Sequence, residues 1–78
     1  MTEQRELTFG EKAVGLTFNP SSLKEVDEIK GLYAEIIDVL NNLRNKAPSG
    51  EVKRMLSVAI TDSQSAQMWA VKAVTWRE

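Results

Sequence analysis

The sequence predicts an all-α protein: an N-terminal arm or short helix, then a long antiparallel helical hairpin, assembled as a homo-oligomer. Three observations lead there. Val52 to Trp76 runs without Gly or Pro, so it can form one long helix. Ser22 to about Lys46 places Val26, Ile29, Tyr33, Ile36, Ile37, Leu40 and Leu43 on one helical stripe. Between them, Asn45-Lys46-Ala47-Pro48-Ser49-Gly50 is too short to be anything but a turn, which makes the two helices antiparallel neighbours.

The arm comprises residues 1–21. Met1 to Glu6 is polar and charged with nothing to anchor it, and is expected to fray. Leu7 to Phe18 mixes apolar residues with Gly10 and Gly15, a pattern that predicts a short turn of helix or an extended segment lying over the hairpin. It carries two aromatics, Phe9 and Phe18, and one cation, Lys12. Both rings can plug the end of a helical pair, or one of them can offer a stacking face to a base.

Asn19-Pro20-Ser21-Ser22 is the clearest punctuation in the chain. Pro20 disfavours helix at Asn19, and Ser22 stands three residues before Glu25, the spacing of a capping box. Helix one is therefore expected over residues 22–46. Lys24, Asp27, Glu28, Glu35, Asp38 and Asn42 fall opposite the apolar stripe and read as a solvated face rather than paired catalytic acids. Lys30 sits at the stripe's edge, where its stem can lie on apolar surface and bring the ammonium near the arm.

Helix two is expected over residues 49–76, with Ser49 as N-cap and Glu51 favourable in the first turn. Val52, Leu56, Ala59, Ser63, Ala66, Ala70 and Ala73 form a stripe of small residues suited to close helix packing. Val58, Asp62, Ser65, Trp69, Lys72 and Trp76 form a second row with alternating steps of four and three. Between Leu56 and Val74 the only charges are Asp62 and Lys72. A helix so poor in charge needs more partners than one short chain supplies. Helices of about 25 residues, roughly 37 Å long, make a thin hairpin, and at 78 residues oligomerisation is the remaining source of stability.

Composition excludes several functions. The absence of Cys and His removes disulfides, thiolate nucleophiles, the usual neutral-pH base and the commonest metal ligands, so neither metal nor other cofactor is expected. Phosphate-loop, dinucleotide-fold and nucleophile-elbow motifs are absent, and Ser57, Thr61, Ser63 and Ser65 lack a base at triad-like spacing; no catalytic residue is assigned. A net charge of -1 supplies no field for a nucleic-acid polymer. The N-terminus is too polar for a signal peptide and no apolar run reaches the ~18 residues of a membrane span, so a cytoplasmic protein with no membrane partner is expected. Small-molecule binding is better supported. Phe18, Asn19 and the backbone N–H groups of Ser21 and Ser22 gather an aromatic face, a base-edge group and anion donors, while Lys12, Lys30 and Lys72 carry charge.

The runs FGEKAVGLTFNPSS, VDEIKGLYAEIIDVL and RMLSVAITDSQSAQMWAVKAVTW resemble the phage anti-CBASS cyclic-oligonucleotide sponges, whose helical hairpin is shared with the anti-Thoeris sponges. The similarity extends from Phe9 to Trp76 and is most specific in AVGLTFNPS and in the Thr-Asp-x-x-x-x-x-Met-x-x-Val-Lys-Ala-Val pattern. The resemblance implies a compact homo-oligomer, typically a hexamer. Such a protein binds cyclic dinucleotides such as cyclic GMP-AMP without cleaving them, with cyclic trinucleotides at a second kind of site in some members. The family's phosphate-binding lysine, in a Glu-Ile-Lys triplet, corresponds to Lys30. Its base-stacking aromatic is a Tyr for which this chain offers Phe18, with Phe9 behind it. An Arg associated with trinucleotides matches Lys72, which keeps the charge but not the planar fork. The ligand-binding set implied in this way is Phe9, Lys12, Phe18, Asn19, Ser21, Lys30 and Lys72. The alternative reading is a homo-oligomeric adaptor that binds a host or phage protein through helix two.

Overall fold

The computed structural model describes residues 5–77. Among them are three α-helices: α1, Phe9–Val14; α2, Lys24–Asn45; and α3, Gly50–Val74. α2 and α3 form the hairpin, and α1 packs chiefly on α2. Of the segment expected to fray, Met1–Gln4 lies outside the described residues. Arg5 is anchored: its guanidinium grips the Glu11 carboxylate in two bonds of 2.8 and 2.9 Å.

α1 exists because both of its ends are capped. Thr8 Oγ1 accepts from the Glu11 N–H while the Glu11 carboxylate accepts from the Thr8 N–H, a reciprocal capping box that satisfies two orphan donors. At the other end Gly15 takes the left-handed conformation, φ 63°. Its N–H and that of Leu16 return to the Lys12 and Glu11 carbonyls, closing the last turn. A capping box thus stands at Thr8–Glu11 and not at Ser22–Glu25. Ser22 itself has φ 60°, outside helical space, and α2 begins two residues later at Lys24, behind an N-cap, Leu23, that provides no side-chain bond. The reason lies in Asn19. Its amide donates to the Leu23 carbonyl (2.9 Å) and the Asp27 carboxylate (3.0 Å), and its Oδ1 accepts from Ser21 (2.7 Å). This clamp holds the turn that carries Pro20.

The shift at the start of α2 leaves a helix two residues shorter there than expected, and α3 ends at Val74 rather than Trp76. Ser49 caps α3 as the sequence suggests, its hydroxyl accepting from the Val52 N–H at 3.2 Å.

The core is small: Val14, Ala34, Ile37 and Ile60, flanked by Ala13, Leu16, Tyr33 and Leu40. α1 seats on α2 through Gly10, where a Cβ would collide with the Ala34 carbonyl and stand 2.9 Å from the Asp38 carboxylate. That carboxylate accepts the Gly10 N–H at 2.7 Å, so Asp38 faces α1 instead of belonging to a wholly solvated face. Arg44 ties the base of the hairpin, donating to Ser57 Oγ at 3.0 Å and to Asn41 at 2.8 Å.

The buried row of α2 is Val26, Lys30, Ala34 and Ile37, turned from the expected stripe so that Leu32, Ile36, Val39 and Leu43 lie exposed. On α3 the buried residues are Ile60 and Gln67, neither on the small-residue stripe. Ala66 and Ala73 of that stripe face outward, and Val52, Leu56, Ala59, Ser63 and Ala70 are half-buried at its margin. The second row, Val58, Asp62, Ser65, Trp69, Lys72 and Trp76, is exposed throughout. Two helices with apolar outer faces bury too little between them to fill a core. The Cα radius of gyration, 14.3 Å, exceeds the ~11.5 Å of a compact domain of this length.

Candidate functional site

α1 and its C-terminal turn lie across the open end of the hairpin, where the first turns of α2 approach the last turns of α3. Lys30 is the centre of this region. It is 5% exposed, and its ammonium donates to the Gly15 carbonyl (3.0 Å) and to the Phe18 carbonyl. The expectation that Lys30 reaches the arm is therefore met by two main-chain oxygens, with the stem on the buried row of α2. The ammonium also lies 5.5 Å from the Phe18 ring centre, while the ring itself is 70% exposed.

The electrostatics of Lys30 are unusual. Ion pairs among the described residues are Arg5–Glu11 and Glu51–Arg54; no carboxylate of a described residue pairs with Lys30. A buried cation that meets carbonyl dipoles and a ring face but no carboxylate is incompletely compensated, because full charges in low dielectric require counter-charges. The third ammonium proton and the residual charge are available to an anion.

Two adjoining clefts open on Lys30 and share Val71 as a second wall. The first, about 240 Å³, is lined by Phe18, Asn19 and Ser21 from the turn, by Val26 and Lys30 from α2, and by Val71 from α3. It collects four of the sequence-assigned residues. Asn19 and Ser21, however, bond to each other and hold the turn, and the Ser22 N–H already donates to the Asn19 carbonyl (3.1 Å). They shape the wall, and the exposed ring and the ammonium are its chemically available parts. The second cleft, about 440 Å³, runs between α1 and α3 and is lined by Lys12, Gly15, Lys30, Gln67, Met68 and Val71.

Phe9 and Lys72 lie elsewhere. The Phe9 ring covers the guanidinium of Arg44 at 5.5 Å, near the closed end of the hairpin and some 21 Å along α2 from Lys30. Lys72 projects from the outer row of α3, its ammonium 5.3 Å from the Trp69 ring and 6.0 Å from that of Trp76. These three residues and Ala73 border a separate shallow groove. Within this chain Lys72 makes no ion pair with Asp62.

Gln67 is the residue that sequence reasoning missed. Its place seven residues after Ile60, on the same helical face, was the available signal. Among the described residues no group of three or more His, Cys, Asp or Glu is arranged to hold a metal ion, and no helix is long and apolar enough to cross a membrane. The arrangement provides an anion contact, an aromatic face and apolar walls, which are the elements of nucleotide recognition.

Comparison with known proteins agrees with that chemistry. The family model described as Acb2/Tad1, hairpin domain, matches residues 11–75, a span that contains Lys12, Phe18, Asn19, Ser21, Lys30, Gln67 and Lys72. No curated protein and no solved structure matches the chain. The match covers most of the sequence and both arms of the hairpin, and the chain belongs to the Acb2/Tad1 hairpin family, that of the anti-CBASS and anti-Thoeris cyclic-nucleotide sponges.

Proposed function

We infer that this protein is a phage anti-defence sponge that binds cyclic dinucleotide messengers such as cyclic GMP-AMP and withholds them from CBASS effectors without cleaving them. The observation that carries the reading is Lys30: a buried ammonium without a carboxylate partner, at the floor of a cleft whose rim is the exposed Phe18 ring. A phosphate completes the charge, and a base stacks on the ring. Lys12 adds a second cation beside the same lysine.

One chain supplies part of such a site. The Phe18 cleft, about 240 Å³, falls below the ~300 Å³ at which ligand pockets usually begin. A cyclic dinucleotide presents two bases and two phosphates, so two copies of the chain, each giving one Phe18 and one Lys30, match it. This agrees with a homo-oligomer, as a hexamer of three such pairs, closed through the exposed rows of α2 and α3. Lys72 between Trp69 and Trp76 is the place for a second ligand class, a cyclic trinucleotide, since cation and indole faces suit phosphate and base. Sequestration acts in the cytoplasm of the infected bacterium and requires affinity near that of the effector. Nanomolar binding corresponds to about -12 kcal/mol, within reach of two phosphate contacts, two stacked bases and a closed pocket.

Titration calorimetry against cyclic GMP-AMP, cyclic di-AMP, cyclic di-GMP and a cyclic trinucleotide, with ligand recovered after denaturation, tests the function. Tight binding with intact recovery is expected. Recovery of linear product makes the protein an enzyme, and absence of binding across the panel refutes the sponge reading. The adaptor reading draws on the exposed Val58–Trp76 row, which fits a helical partner as well as a second copy. It requires Trp69→Ala to abolish anti-defence activity while Lys30→Ala leaves it intact.

A further inference from the structure

We propose that Gln67 is a specificity-determining residue whose amide reads the base edge of a nucleotide seated in the cleft between α1 and α3; this rests on the cyclic-nucleotide reading above. Gln67 is only 4% exposed, yet its side chain makes no hydrogen bond to any described residue. Its neighbour one turn earlier, Gln64, does: it donates to the Ala13 carbonyl at 3.4 Å. No fully enclosed side-chain polar atom among the described residues lacks a partner, so the amide of Gln67 keeps part of the little surface the residue retains. That surface opens on the cleft it lines with Lys12, Gly15, Lys30, Met68 and Val71. An amide with no protein partner and only a narrow opening to solvent gains from a ligand edge that reaches it through the cleft.

The chemistry of the cleft narrows the ligand edge. Lys12 and Lys30 are donors only and suit phosphate, while Gly15, Met68 and Val71 supply apolar or backbone surface. Among the residues lining this cleft, Gln67 alone has a side chain with both a donor and an acceptor, and burial holds it in place. An amide matches adenine, whose N6–H donor stands beside a ring-nitrogen acceptor. The phosphate and stacking contacts are the same for every nucleotide, so discrimination between bases falls to this amide.

The direct test changes the pattern without changing the shape. Gln67→Glu replaces donor and acceptor by two acceptors, which suit the adjacent N1–H and N2–H of guanine and oppose adenine's ring nitrogen. Titrating wild type and variant with cyclic di-AMP and cyclic di-GMP, we expect the ratio of the two affinities to move toward cyclic di-GMP by about 30-fold or more. Any uniform loss from the added negative charge cancels in that ratio. Gln67→Leu, which keeps burial and approximate volume, covers the case in which the carboxylate prevents folding; it should retain the wild-type helical dichroism and weaken cyclic di-AMP about fivefold or more. A ratio unchanged within about threefold in Gln67→Glu, or native cyclic di-AMP affinity in Gln67→Leu, overturns the role of Gln67 while leaving the sponge standing. Wild-type protein that binds cyclic GMP-AMP but neither of these probes overturns the role of Gln67 alone, whereas protein that binds no member of the panel named above removes both readings.

Discussion

Replacing Gly10 by Ala tests the seating of α1, on which the geometry around Lys30 depends. The added methyl meets the Ala34 carbonyl, which belongs to the α2 backbone and cannot rotate away, and also crowds the Asp38 carboxylate at 2.9 Å. α1 must lift, which breaks the 2.7 Å bond from the Gly10 N–H to that carboxylate. A hydrogen bond to a charged group contributes about 1.5 to 3 kcal/mol, and overpacking costs about 1 to 3. Against this, Ala is favoured over Gly in a helix by at most about 1 kcal/mol. The net loss is about 1.5 to 5 kcal/mol. For a chain of this length, 1 kcal/mol moves the melting temperature by roughly 6 °C, so Gly10→Ala should lower Tm by at least roughly 9 °C. Gly31→Ala is the control: nothing lies within 4 Å of its Cβ, and the helix-propensity gain should leave Tm unchanged or raise it by a few degrees. Thermal unfolding followed by circular dichroism, at one fixed protein concentration, makes the comparison. A Gly10→Ala protein as stable as the Gly31→Ala protein refutes the close approach of α1 to α2.

Lys30→Met keeps the buried stem and removes the ammonium. Calorimetry should show the affinity for cyclic GMP-AMP down by about 10- to 150-fold, with helical content preserved, since a charge-assisted bond contributes about 1.5 to 3 kcal/mol. Trp69 and Trp76, 67% and 62% exposed in the single chain, should emit at the blue-shifted wavelengths of buried indole once assembled. Trp69→Ala should weaken self-association by about 2 to 4 kcal/mol, read by sedimentation across a concentration series. The Glu11 carboxylate is held down to about 2 by the Arg5 guanidinium and the Thr8 N–H. A depressed carboxylate stabilises the fold above its unfolded value near 4.5 and loses that contribution as pH falls toward 2. Glu11→Gln should therefore narrow the Tm difference between pH 6 and pH 3; an identical difference in the variant would show that the capping box does not titrate with folding.

Much of the architecture was legible in the sequence, and the reason is local. The hairpin follows from two helical stretches and a turn too short to do anything else, and the Ser49 cap from a residue type that accepts its own helix's N–H. The family could be read from runs of residues that survive as sequence. The capping box expected at Ser22–Glu25 forms instead at Thr8–Glu11, which has the same spacing. The choice fell to Asn19, whose three side-chain bonds hold Ser22 outside the helix. Periodicity lists which residues share a face, but on α3, with few charges on any side, it does not say which face turns inward. Packing against α1 and α2 decided that, burying Ile60 and Gln67 and leaving Ala66, Ala73 and the tryptophan row outside. The candidate site divides in the same way. Lys30 and Phe18 were recognisable as residue types at a helix start, whereas the depth of Lys30, its carbonyl partners, its lack of a counter-ion and the amide of Gln67 in the adjoining cleft come from segments far apart in the chain. The sequence by itself determined helices, turn and lineage because those rest on near neighbours. The tertiary structure alone decided which polar groups are buried and what they meet there, because burial is a property of what surrounds a side chain.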